Sequence, residues 1–137
     1  MSDLKHRFRN VLLCEDVRDE LRRKHSLIGV YSGDIVVAEL PAFVQLAAYI
    51  LYEPDKGFKG DIRFKVQVFL DDTKIIEGEL SGTIADAETH AVFVLPKGML
   101  QIPQPSIYRI IIVMDDQEVE ILSKKILIGE VNLPSGP

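Results

Sequence analysis

One cysteine and no tryptophan occur among the 137 residues. A lone thiol, Cys14, cannot close an internal disulfide and lacks the companions of a zinc site. Long apolar runs are also missing. Runs such as Ile110 to Met114 are far shorter than the roughly 20 residues that cross a bilayer as a helix. The opening Met1-Ser2-Asp3-Leu4-Lys5-His6-Arg7 has cations but no apolar region behind them, so it does not read as a signal peptide. The final Leu133-Pro134-Ser135-Gly136-Pro137 has the outline of a wall-sorting signal but neither its threonine nor a hydrophobic tail. These absences lead us to expect a cytoplasmic protein with no membrane partner.

Positive charge is short as well. Sixteen Lys and Arg face 21 Asp and Glu, for a net charge of −5. A field of that sign repels phosphate backbones, so no nucleic-acid partner is expected. The balance is uneven. Residues 1–25 hold seven cations against five acids, which leaves nine against sixteen for the remainder. The basic run Arg22-Arg23-Lys24 is therefore a candidate contact. It has no interleaved aromatics of the kind a nucleic-acid platform uses, so a solvated charged segment is the plainer reading.

What the chain does have is alternation. Apolar residues make up 47% and charged residues 27%, which suits one folded domain over residues 1–137 with its core at about 8–128. The clearest strand runs from Asp61 to Leu70, where Ile62, Phe64, Val66, Val68 and Leu70 alternate with Asp61, Arg63, Lys65 and Gln67. Arg9–Asp16 is apolar on both faces through Val11-Leu12-Leu13-Cys14, as a central strand would be. Ser26–Tyr31 reads as a strand that Asp34–Leu40 continues after a bulge at Ser32-Gly33. Phe43–Tyr52 reads as strand, with helix as its rival. Lys74–Leu80 pairs back through the turn Asp71-Asp72-Thr73, and Thr89–Leu95 follows the polar stretch Ser81–Glu88. Ser106–Met114 and Glu118–Ile128 form a second hairpin around Asp115-Asp116-Gln117. Val17–His25 reads as a loop or one helical turn, and the prolines of Leu95–Pro105 mark a connector. About eight short strands punctuated by turns predict an all-β antiparallel sandwich, immunoglobulin-like or, as an alternative, C2-like.

Several of these stretches occur in a familiar order. Leu13-Cys14-Glu15-Asp16-Val17-Arg18 is followed by Leu27-Ile28-Gly29-Val30-Tyr31, then the turn Glu39-Leu40-Pro41, a middle hairpin, and Tyr108, Ile110 and Ile112 at alternate positions before an acidic turn. Over roughly residues 8–128 this resembles a family of short uncharacterised bacterial proteins, grouped as a domain of unknown function. The resemblance implies an immunoglobulin-like sandwich and carries no catalytic residue over. The chain departs from the pattern at Ser106, where glycine is expected, and at Asp115-Asp116-Gln117 in place of Asp-Gly. Both departures sit in loops. Tyr108 also stands where such sandwiches often carry a corner tyrosine. Position 110 is Ile, not the cysteine of an antibody domain.

Chemistry-bearing residues are sparse. Cys14 could be drawn with His25 or His90 as a nucleophile pair, but its apolar strand and its neighbours Glu15 and Asp16 would raise a thiol's pKa. A buried structural thiol is the expectation. His6, His25 and His90 have no close spacing of the kind metal ligands show, so no metal and no cofactor is expected. Asp71-Asp72 and Asp115-Asp116 suggest calcium if their loops converge, and ordinary turns if they do not. Gly57-Phe58-Lys59-Gly60 lacks the spacing of a phosphate loop. Phe58 with Lys56 and Lys59 is the best candidate contact surface, although packing back on its own sheet is the commoner fate of such a ring. The function expected is that of a non-enzymatic protein-interaction or accessory domain, binding another protein or itself. The alternative is a small-molecule or calcium-binding module.

Overall fold

The structure, a computed structural model, describes residues 4–85 and 90–129. Thr89, which opens the expected strand Thr89–Leu95, the end of the polar stretch before it, and both chain termini lie outside the described residues. Most of the described chain is strand. A short helix α1 (Leu4–Arg7) precedes β1 (Phe8–Glu20), a 3-10 turn (Leu21–Arg23) and β2 (Lys24–Val30). Then come β3 (Ile35–Val37), β4 (Ala42–Tyr52), β5 (Gly60–Leu70), β6 (Thr73–Ile84), β7 (Ala91–Ile102), β8 (Ser106–Met114) and β9 (Gln117–Ile128). Two sheets result, in the orders β2-β1-β4-β7 and β3-β9-β8-β5-β6. All pairings are antiparallel except β3 with β9.

Period-two alternation builds the space between the sheets. In β5, Ile62, Phe64, Val66 and Val68 are buried while Asp61, Arg63 and Lys65 are exposed. In β4 the buried inner row is Val44, Leu46, Ala48, Ile50 and Tyr52, and the helical alternative for this segment is ruled out by its pairing to β1 and β7. Tyr108, Ile110 and Ile112 of β8 complete the facing layer. At one end the layers meet through four rings. Phe8 packs edge-on against Tyr52 and Phe64 at 5.2 and 5.3 Å, and Phe93 against Phe64 and Tyr52 at 4.7 and 6.4 Å. Such contacts contribute about 0.5–1.5 kcal/mol each beyond the area they bury.

The sandwich and most strands are as the sequence predicts. Nine strands stand where about eight were expected, and four local readings need correction. Of Val17–His25, expected as a loop or one helical turn, only Leu21–Arg23 is a turn. β1 continues to Glu20 and pairs with β2 through Val17↔Leu27, Arg18↔Ser26 and Asp19↔His25, so cross-strand partners stabilise a segment whose composition is charged. Ser32-Gly33 is not a bulge within one strand, because β2 and β3 belong to different sheets and the chain crosses between them there. The strand expected over Lys74–Leu80 runs on to Ile84, into the polar stretch. Leu95–Pro105 is not a connector up to Ile102. β7 is an edge strand, and a register shift against Leu46 and Ala48 accommodates Pro96 and Lys97 as a bulge. Proline is tolerated at such a position because no ladder donor is required of it.

The β1–β2 hairpin leaves the plane of its sheet. The last β1–β4 pair is Cys14↔Ala47, although β4 reaches back to Ala42. Beyond that point Asp16 lies 3.7 Å from Lys97 of β7, Gln45 Nε2 donates to the Glu15 carbonyl at 2.9 Å, and the His25 ring meets Tyr49 at 5.6 Å. The hairpin thus folds over the outward row of β4. That cover explains why Cys14 and Ala47, which face away from the inter-sheet core, are nonetheless buried. Gly29 permits the bend. Its φ is +65°, and a Cβ there would sit 2.7–2.9 Å from the Glu15 side chain.

Candidate functional site

A concavity of about 390 Å³ opens at the aromatic end of the sandwich. α1 supplies Leu4 and Arg7, β4 ends in it with Tyr52, the following loop brings Phe58, and the β8–β9 turn brings Met114 and Asp115. Arg7 pairs with Asp55, and this hydrogen bond holds the guanidinium pKa above its ordinary value. Burial pushes the Tyr52 hydroxyl up as well. Asp61 accepts from Thr83 Oγ1 at 2.8 Å, and Arg63 meets Glu79 at 2.9 Å. Arg7 and Asp55 thus tie α1 to the loop, while Asp61 and Arg63 are engaged by β6.

Phe58 occupies an intermediate position. The loop turns tightly where the Phe58 N–H donates to the Asp55 carbonyl at 2.9 Å, with Gly57 at φ +86°. The ring folds back over Gly60, 3.6 Å from where a Cβ would stand, and lines the cleft while 37% exposed. Lys56 and Lys59 flank it in solvent. The basic run lies on a different element. Arg22 and Lys24 are exposed at the tip of the β1–β2 hairpin, where Arg22 adopts a left-handed conformation beside a Leu21 that is 86% exposed. Acids of the same hairpin already have partners: Asp19 meets His25 at 3.2 Å and Glu20 accepts from Ser26 at 2.9 Å.

The two acidic turns do not converge. Antiparallel pairing of β5 with β8, through Leu70↔Tyr108 and Lys65↔Val113, puts Asp71-Asp72 at one end of the sheet and Asp115-Asp116 at the other. A calcium site shared between them is excluded by that separation. Asp71 serves its turn instead: its Oδ1 accepts from the Ile107 N–H at 2.9 Å. Asp71, Asp115 and Asp116 all have positive φ, the backbone of tight hairpin turns. Among the described residues no three His, Cys, Asp or Glu side chains group as metal ligands. Cys14 is fully buried, and its Sγ lies 3.3 Å from the Asp16 carbonyl that it donates to. Burial, more than the nearby carboxylates, pushes its pKa up. Tyr108 is buried in the core, and burial likewise raises its pKa.

The outward faces of the two sheets differ in kind. On the five-stranded sheet, charged side chains are paired: Arg63 with Glu79 and Arg109 with Glu120 across strands, and Lys74 with Glu77 along β6, Arg109 also lying over the Phe69 ring at 5.4 Å. On the four-stranded sheet the outward row runs through Tyr49, Leu51, Val92 and Val94 to Phe43 and Met99. The pairs Phe43↔Gln101 and Gln45↔Met99 put Phe43 and Met99 on the same face as diagonal neighbours, 68% and 60% exposed. Sequence reading missed this patch, because Met99 falls in the proline-rich stretch that reads as a connector. The period-two position of Phe43, opposite in phase to Val44, was the available signal.

A model described as a family of unknown function (DUF6941) matches residues 9–126. The chain belongs to this family. Membership assigns no ligand and no reaction, so the sites above rest on their geometry. No curated protein matches the chain. No helix among the described residues is long and apolar enough to cross a membrane.

Proposed function

We propose that this chain is a non-enzymatic interaction or accessory domain of the cytoplasm that binds another protein through the outward face of its four-stranded sheet. The observation that carries the reading is the adjacent pair Phe43 and Met99, two large apolar side chains more than half exposed on one face. Paired charges solvate the opposite face, so the apolar side chains are a local feature and not a general property of this surface. The buried thiol of Cys14 suits a reducing compartment and is a poor nucleophile. The immunoglobulin-like form of the sandwich is part of the same reading. It is supported by β1, β4 and β7 standing in one sheet and β5, β8 and β9 in the other, the split seen in that fold.

The test replaces both side chains by Glu in one variant, Phe43→Glu with Met99→Glu, and compares partners cross-linked in cells to the variant and to wild type. The expected result is loss of specific partners with an unchanged melting curve, since neither side chain packs in the core. Retention of every partner would overturn the reading. The second reading, a small molecule in the end cleft, is favoured only by a volume within the range of ligand sites. Ligand-induced stabilisation that Tyr52→Phe and Arg7→Gln abolish would support it.

A further inference from the structure

We propose that β6 pairs edge to edge with β6 of a second copy, antiparallel about a two-fold axis at Leu80, to join two five-stranded sheets into one. The proposal rests on the reading of this chain as an interaction domain, but it uses a different surface from the Phe43–Met99 patch. The four sheet edges are not equivalent. β7 carries Pro96, Lys97 and a bulge, β3 has three residues, and β2 is bent at Gly29. These are the devices by which edge strands avoid pairing. β6 has its one register shift near its start, at Ile75, and from Ile76 to Ile84 it pairs regularly with β5 and carries neither proline nor bulge, with most of its 12 residues exposed. Ile76, on its inner row, is 39% exposed.

The second copy is the occupant because the strand is self-complementary. A two-fold axis normal to an antiparallel pair keeps each row of side chains on its own face, so residues meet partners of the same parity. About Leu80, the sequence Ile76-Glu77-Gly78-Glu79-Leu80-Ser81-Gly82-Thr83-Ile84 maps onto itself. On the inner row Ile76 meets the partner's Ile84, Gly78 meets the partner's Gly82, and Leu80 meets its own copy. On the outer row Glu77 meets the partner's Thr83 and Glu79 meets the partner's Ser81, hydroxyl against carboxylate. An axis two residues earlier, at Gly78, would instead set Glu77 against Glu79 twice, and like charges directly opposite destabilise a pair. Each acid already has a cation of its own chain, Lys74 for Glu77 and Arg63 for Glu79. The carboxylates can therefore accept a hydroxyl without standing as bare charges at the joint.

Sedimentation equilibrium over micromolar to submillimolar concentrations, with melting curves for every variant, tests this. Wild type should dimerise. Ser81→Glu should weaken the dimer at least tenfold, because it faces the partner's Glu79, while within the monomer it faces Arg63. Ser81→Lys should keep or tighten it. Gly78→Lys, where a side chain enters open space, should also weaken it without loss of melting temperature. A wild type that stays monomeric throughout would overturn the proposal. So would a dimer indifferent to the charge at position 81. A dimer abolished by Phe43→Glu with Met99→Glu and untouched by Ser81→Glu would reject this interface while leaving the apolar face in place as the interacting one.

Discussion

Truncating Phe58 to Ala measures how far the loop from Glu53 to Gly60 belongs to the folded body. An aromatic side chain buries about 150–250 Å² when enclosed. With the residue 37% exposed, roughly two thirds of that area is covered. At about 25 cal/mol per Å² the transfer term is about 3 kcal/mol as an upper bound. The alanine methyl retains part of it, and compact unfolded chains lower the figure by a further 10–40%, roughly. A surface loop also relaxes into the space, so little cavity penalty is added. The expected loss is about 1.5 kcal/mol. Phe64, 2% exposed and touching both Phe8 and Phe93, should lose about 3–5 kcal/mol on the same change. Urea denaturation of both variants against wild type, with slopes compared, gives the two values. A Phe58→Ala loss below about 0.5 kcal/mol would show that the ring does not pack. A loss equal to that of Phe64→Ala would show that the loop is core and not surface.

Three further outcomes are expected. Cys14→Ala should cost about 1 kcal/mol, and the native thiol should react with a thiol reagent only as fast as the hairpin opens; rapid reaction at neutral pH would refute its burial. The sign of its pH response follows from a folded pKa that is raised: its contribution to stability is present below the unfolded thiol pKa and is lost as pH rises toward the folded value. Gly29→Ala should destabilise by about 1–2 kcal/mol through its left-handed backbone, and if Glu15→Ala relieves none of that loss, the steric part of the argument fails. Binding to DNA or RNA at physiological salt should be negligible for a chain of net charge −5; submicromolar, salt-sensitive binding in a fluorescence titration would contradict that.

The sequence by itself determined the alternating strands and hence the sandwich. Ile62 to Val68 could only bury one side of a strand, and each Asp-rich turn told where two strands reverse. It also told that Cys14 lies among apolar neighbours. Tertiary structure decided the rest, because pairing partners are distant in the chain. Val17–His25 is charged enough to read as loop, and all of it but the turn Leu21–Arg23 becomes strand because Val17 to Glu20 meet Lys24 to Leu27 across the hairpin. Pro96 breaks a ladder in principle, yet β7 is an edge strand with a bulge there, and neither fact is local. The same holds for the surfaces. The two acidic turns look alike as residues, and only the direction of β5 against β8 sets them at opposite ends. The symmetry about Leu80 was printed in the sequence from the start. It acquires meaning only when the fold makes β6 an edge, which neither proline nor bulge protects from Ile76 to Ile84.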